Sequence, residues 1–97
     1  PMLRVVRFEP TPNPRALKAA LDRPVPPPPP GVPSPRSYRA ASAATADPLA
    51  HALLEIPGVS AVLLGDSWIT INRDETASWS VLKPAIERVL GHFEASA

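Results

Sequence analysis

The sequence predicts an α+β domain of two layers, an antiparallel sheet with two helices packed on one face, in the order β-β-(β)-α-β-β-α. Three observations lead there. Residues 59–64 and 68–73 read as strands flanking Gly65-Asp66-Ser67, a turn segment that marks a hairpin. Segments near 48–56 and 79–92 carry apolar residues at helical spacing on one side only. A length of 97 residues fits one domain, expected to span residues 2–97, in which each helix must lay its apolar stripe on a sheet. A chain this short buries only about 60–65% of the surface its unfolded form exposes, so each apolar position in a regular element is needed.

Leu3 to Glu9 reads as the first strand, with Val6 and Phe8 on one face and Arg7 and Glu9 on the other. Pro10-Thr11-Pro12-Asn13-Pro14 stops it, because alternate prolines remove backbone donors and hold their predecessors extended. Arg15 to Leu21 has helix-forming composition, yet seven residues between proline breakers are too few for a stable helix. The alternation of Leu17, Ala19 and Leu21 against Lys18 and Ala20 therefore predicts a strand. Residues 24–36 form a proline-rich loop, polyproline II or irregular, stiff by composition. Arg23, Pro26 and Pro29 also match the spacing of an SH3-type ligand. Ser37-Tyr38-Arg39 fits a short third strand.

Asp47 as N-cap and Pro48 at the first helical position open the first helix. Leu49, Ala52, Leu53 and Ile56 form its stripe, and Pro57-Gly58 ends it. In the second hairpin strand Ile69 and Ile71 point one way, and Trp68, Thr70 and Asn72 the other. The last helix, from about Trp79 to His92, buries Trp79, Leu82, Ile86, Val89, Leu90 and Phe93 along one broad face, with Trp79 in the core. Pro84 belongs near its first turn, where a proline costs least, or kinks the start if the helix begins at Trp79.

Composition excludes much chemistry. The chain has no cysteine, hence no disulfide, thiolate nucleophile or Cys-ligated zinc or iron–sulfur site of its own. His51 and His92 fall on the polar faces of different helices, so a buried triad with a serine or threonine nucleophile is not expected. Asp74-Glu75 reads as a solvated turn, and four scattered glycines make no phosphate loop. The expected class is non-enzymatic, with no catalytic, cofactor or metal residues. An alternative is direct metal or small-ligand binding through His51, His92 and carboxylates. A second is nucleic-acid binding, since residues 1–39 hold seven basic and two acidic groups against three and seven in 40–97. Mutual neutralisation of the halves explains the same asymmetry. No apolar run approaches the roughly 20 residues of a membrane helix, and arginines interrupt the start, so a cytoplasmic protein is expected. Pro1 ahead of Met2 reads as an added residue.

Four blocks then carry a resemblance. Thr11-Pro12-Asn13-Pro14-x-x-Leu17-Lys18 resembles the TPNPxxLK opening of the N-terminal domain of Nfu/NifU-like iron–sulfur cluster scaffold proteins. Asp47-Pro48-Leu49-Ala50, with Leu53, Ile56, Gly58, Val59 and Val62, is similar to that domain's SPLA…LF-I-GV segment. Trp68-Ile69-Thr70-Ile71 resembles its FITV strand, and Trp79-x-x-Leu82-Lys83-Pro84-x-Ile86 its WxxLKPxI helix. The resemblance implies an accessory protein-interaction module in cluster assembly or delivery, with assembly proteins or apo-clients as partners. The cluster itself, with any iron, is implied for a partner or a separate C-terminal CxxC domain. The chain departs from the pattern in lacking CxxC, in having Ala19 and Leu54 at usual aromatic positions, and in its proline tract. Either the protein ends here or a second domain follows.

The residues expected to bind partners are Thr11, Pro12, Asn13, Pro14, Lys18, Trp68 and Lys83. Each has a structural alternative: Asn13 can hold the turn through its own backbone, and Lys83 can cap or solvate its helix. If both helices cover one sheet face, Trp68 lies on the other.

Overall fold

The computed structural model describes residues 1–96. Its strands are β1 (Val5–Pro10), β2 (Ala16–Leu21), β3 (Arg36–Tyr38), β4 (Val59–Leu64) and β5 (Trp68–Arg73), and its helices α1 (Pro48–Leu54) and α2 (Trp79–Leu90). One antiparallel sheet runs in the order β1-β2-β5-β4-β3. A 3-10 turn at Ala41–Ala43 leads from β3 towards α1.

The Ala-rich stretch 16–21 is a strand between two neighbours, with Leu17, Ala19 and Leu21 buried and Lys18 and Ala20 half-buried. Helix propensity is worth tenths of a kcal/mol per residue, and two ladders of backbone hydrogen bonds override it here. On the same face lie Ile69 and Ile71 of β5 and Val62 and Leu64 of β4. Leu49, Leu53 and Ile56 from the first helical segment and Leu82, Ile86 and Leu90 from α2 complete one core. Each such side chain contributes roughly 1.5–3 kcal/mol by leaving water. Ala50 is buried in α1, and Ala52, expected in the stripe, is half-buried.

Three expectations are corrected. Val6 does not share the face of Phe8: the register shifts between Val5 and Arg7, leaving Val6 58% exposed while Phe8 packs on the core. A bulge inserts one residue and reverses the alternation beyond it. Pro84 lies inside α2 and not near its first turn: the helix starts at Trp79, as expected, with Ser78 as N-cap. Trp79 sits at the core rim, half-buried, with its Nε1 donating to the Pro14 carbonyl at 3.3 Å. Fully buried Ala19 and half-buried Leu54 occupy the two positions where the resemblance leads one to expect aromatics.

The proline tract is irregular, as expected, and strapped down. The Val25 side chain is buried, and its N–H donates to the Asp66 carbonyl at 2.7 Å. Pro24 accepts from the Ser96 N–H, and Pro26 from Arg36 Nη2. Beneath it Arg36 and Asp47, each 3% exposed, form an ion pair. The same Asp47 carboxylate caps α1 by accepting from the Ala50 N–H. Pro26 and Pro29, two positions of the SH3-type spacing, are half-buried along a groove of about 380 Å³ against α1 and Phe93.

Candidate interaction surfaces

Alternation along the strands puts the even positions of β2 and β5 opposite the helices. The register gives three rows across this open face. Arg7, Ala20 and Trp68 form one; Glu9, Lys18, Thr70, Leu63 and Ser37 the next; Ala16, Asn72 and Ala61 the third. Trp68 lies there, as expected from the sequence, half-buried because its indole rests on Gly65. A Cβ at Gly65 would meet that ring at 2.1 Å, so glycine here is the seat of the tryptophan. The Lys18 ammonium stands over the same ring, 5.1 Å from its centroid, a cation–π contact.

Thr11 to Pro14 form the tip of the β1–β2 hairpin. Thr11 Oγ1 lies 2.8 Å from the Asn13 carbonyl and 3.0 Å from that of Ala16, and accepts from the Asn13 N–H. Asn13 Oδ1 accepts from the Arg15 N–H at 2.9 Å, the self-contained turn that asparagine offers. These groups therefore hold the tip's shape, while the rings of Pro12 and Pro14 stay exposed. The start of α2 is tied to the tip by the Trp79–Pro14 hydrogen bond and by the Arg15–Glu75 pair at 3.3 Å. Arg73 stacks on Trp79 and donates through Nη1 among the carbonyls of the β5–α2 loop.

Lys83 is apart from both. It projects from α2 over the Phe8 ring, 5.4 Å from its centroid, on the helix side of the sheet. The seven residues expected to bind partners thus divide among three places: Lys18 and Trp68 on the open face, Thr11 to Pro14 at the tip, Lys83 beside β1.

The alternatives have less to stand on. His51 Nδ1 is 3.3 Å from Glu55 across one helical turn, and His92 lies exposed just past α2. Among the described residues no three His, Asp or Glu side chains converge as metal ligands. The basic half spreads out: Arg36 is buried against Asp47, Arg15 pairs with Glu75, and Arg7 with Glu9. Two of these pairs cross between the halves, so the charge asymmetry is partly neutralised by folding. No helix among the described residues is long and apolar enough to cross a membrane.

Two features escaped the sequence. Asp47 announced itself only as a cap; the arginine just past a proline run was the sole hint of its ion partner. Arg39 follows β3 two residues after Ser37 and lines a shallow pocket of about 250 Å³ with Ala61, Leu63 and Asn72. Only the register places it there. Burial holds the Tyr38 hydroxyl above its ordinary value of 10.0, Asp47 adds to this, and Arg36 opposes it.

The family model of the Nfu/NifU scaffold protein N-terminal domain matches residues 6–97. The chain belongs to that family. The Drosophila persimilis protein described as NFU1 iron-sulfur cluster scaffold homolog, mitochondrial, is 34% identical over 94% of this chain and 31% of its own length. The Drosophila virilis protein of the same description is 33% identical, over 94% and 29%. The chain thus spans about a third of these relatives. Among solved structures, the NifU-like protein of Saccharomyces cerevisiae superposes with a TM-score of 0.73 at 25% identity, over 93% of this chain and 76% of that one. Protein SAV1430 of Staphylococcus aureus, at 17% identity and a TM-score of 0.67 over 89% and 96%, shares the fold. The family's four sequence blocks fall on the hairpin tip with β2, on α1 with β4, on β5, and on the first two turns of α2.

Proposed function

We propose that this domain is a non-enzymatic contact module in iron–sulfur cluster assembly or delivery, binding assembly proteins or apo-clients rather than the cluster. The observation that carries the reading is the one-sided sandwich of this scaffold family. Both helices cover one sheet face, and the other presents Trp68 and Lys18 unroofed. A chain with no cysteine offers no thiolate to a cluster, so in this reading the cluster stays with a partner or a CxxC domain. The hairpin tip and Lys83 are secondary contact points. The domain is placed in the cytoplasm, although the curated relatives are described as mitochondrial; cell fractionation decides between the two.

The test has two arms. Immobilised domain is exposed to native lysate, and bound proteins are identified by mass spectrometry against a blank support. Enrichment of known cluster-assembly or iron–sulfur client proteins is expected; their repeated absence counts against the reading. Separately, anaerobic incubation with iron and sulfide is expected to leave no cluster absorbance on the chain, and a stable chromophore overturns the contact-only role.

A further inference from the structure

We infer that the open sheet face is the docking site for an extended, acidic segment of a partner protein, gripped by Lys18 at one side and Arg39 at the other. This rests on the contact role above and names the chemistry of the contact. Arg7 is neutralised by Glu9 at 2.6 Å, and Glu9 is the carboxylate of the rows just described. Among the described residues neither Lys18 nor Arg39 has a carboxylate within 4.0 Å. Because Arg7 takes up Glu9, Lys18 and Arg39 are cations at two sides of the face without a paired carboxylate.

Geometry adds spacing. Lys18 lies in the row of Ser37, and Arg39 follows two residues further along, so three strand spacings across and two residues along separate them by about 16 Å. Between them lie Thr70 and Leu63, an uncharged floor with one hydroxyl. The pocket beside Arg39 is lined by Ala61, Leu63 and Asn72, whose amide can donate to a carboxylate. An extended peptide advances about 3.3 Å per residue with alternate side chains on one side. Carboxylates four residues apart thus span roughly 13 Å on the same side, a gap to the cations that the long Lys18 and Arg39 side chains cover, with one apolar side chain midway between Thr70 and Leu63. Trp68 keeps the Lys18 ammonium poised on the surface instead of folded onto a neighbouring acid. Nucleic acid is the less suited occupant, because tracking a phosphate backbone needs a run of cations and stacked aromatics, and this face has one aromatic.

The test is an NMR titration of the intact 15N-labelled chain with the capped peptide Glu-Ala-Leu-Ala-Glu, its Gln-Ala-Leu-Ala-Gln counterpart, and a ten-residue oligothymidylate. Saturable shifts at residues 16–20, 37–39, 61–63 and 68–72 with the acidic peptide are expected, at least about fivefold weaker with the glutamine peptide. Lys18→Gln and Arg39→Gln are each expected to weaken binding about threefold, as exposed ion pairs do, and Lys83→Gln not at all. Shifts confined to the proline groove or α2 overturn the inference. So does equal binding of the glutamine peptide, or tighter binding of the oligonucleotide. If a chain with both Lys18→Gln and Arg39→Gln still captures iron–sulfur proteins from lysate, the contact role stands and this surface is wrong. If the intact chain captures none yet binds the acidic peptide, the surface stands and the pathway is wrong.

Discussion

Replacing Asp47 by asparagine separates its two duties. Asparagine still accepts the Ala50 N–H and caps α1, so the capping contribution, about 1 kcal/mol, is retained. What is lost is the charge facing Arg36, whose guanidinium is 3% exposed and whose remaining acceptor is the Pro26 carbonyl. An uncompensated buried charge costs about 3–5 kcal/mol. A domain of 97 residues has a total stability of about 5–15 kcal/mol. The variant should therefore lose about a fifth or more of its stability, and its melting temperature should fall by more than about 12 °C. Urea unfolding followed by far-ultraviolet circular dichroism reads the loss. Adding Arg36→Leu removes the orphaned charge and should restore at least half of it. A single Asp47→Asn chain within about 0.5 kcal/mol of the parent would refute the reasoning, since the arginine would then be finding its compensation elsewhere.

Gly65→Ala places a methyl into the Trp68 ring, so the indole must leave its seat; a loss of about 1–3 kcal/mol is expected, with a red shift of Trp68 emission measured in a Trp79→Phe background. Thr11→Val deprives the Asn13 N–H and two carbonyls at the hairpin tip of their hydroxyl partner, expected to cost about 1 kcal/mol in urea midpoint. Tyr38, the one tyrosine, holds its proton more tightly folded than unfolded. Its contribution is whole below the ordinary value and falls as pH rises past it, so the urea midpoint should drop above pH 10 less steeply in Tyr38→Phe. Pro84→Ala returns a donor to the interior of α2 and should raise stability, by up to about 3 kcal/mol in the same unfolding assay.

The hairpin of β4 and β5, the start of α1 and the strand at 16–21 were legible because local rules agree there: caps, turn residues and alternation reinforce one another. Val6 was not, because a bulge is decided by what the edge strand must bury further along, and its sequence looks like unbroken alternation. Trp79 was misplaced because its indole is drawn to the rim by a hydrogen bond to the hairpin tip, a contact between residues 65 positions apart. Pro84 was misplaced because a helix that begins at Trp79, as expected, already has that proline beyond its first turn. The open face was legible in part. Trp68 and Lys18 follow from alternation alone. Arg39 does not, because its neighbours Ala61 and Asn72 come from strands later in the chain.

The two ends of the described chain meet. Leu3 donates to the Phe93 carbonyl at 3.0 Å, Ala95 donates to that of Pro1 at 3.0 Å, and Met2 bridges Glu94. Anything joined to either end therefore leaves from the same corner, beside the proline strap, and a flexible tether at either end sweeps nearly the same volume. The same adjacency permits circular permutation. A short linker closing the ends, with a new opening at the exposed turn around Pro12 to Arg15, alters the connectivity of the chain while leaving every strand its neighbours.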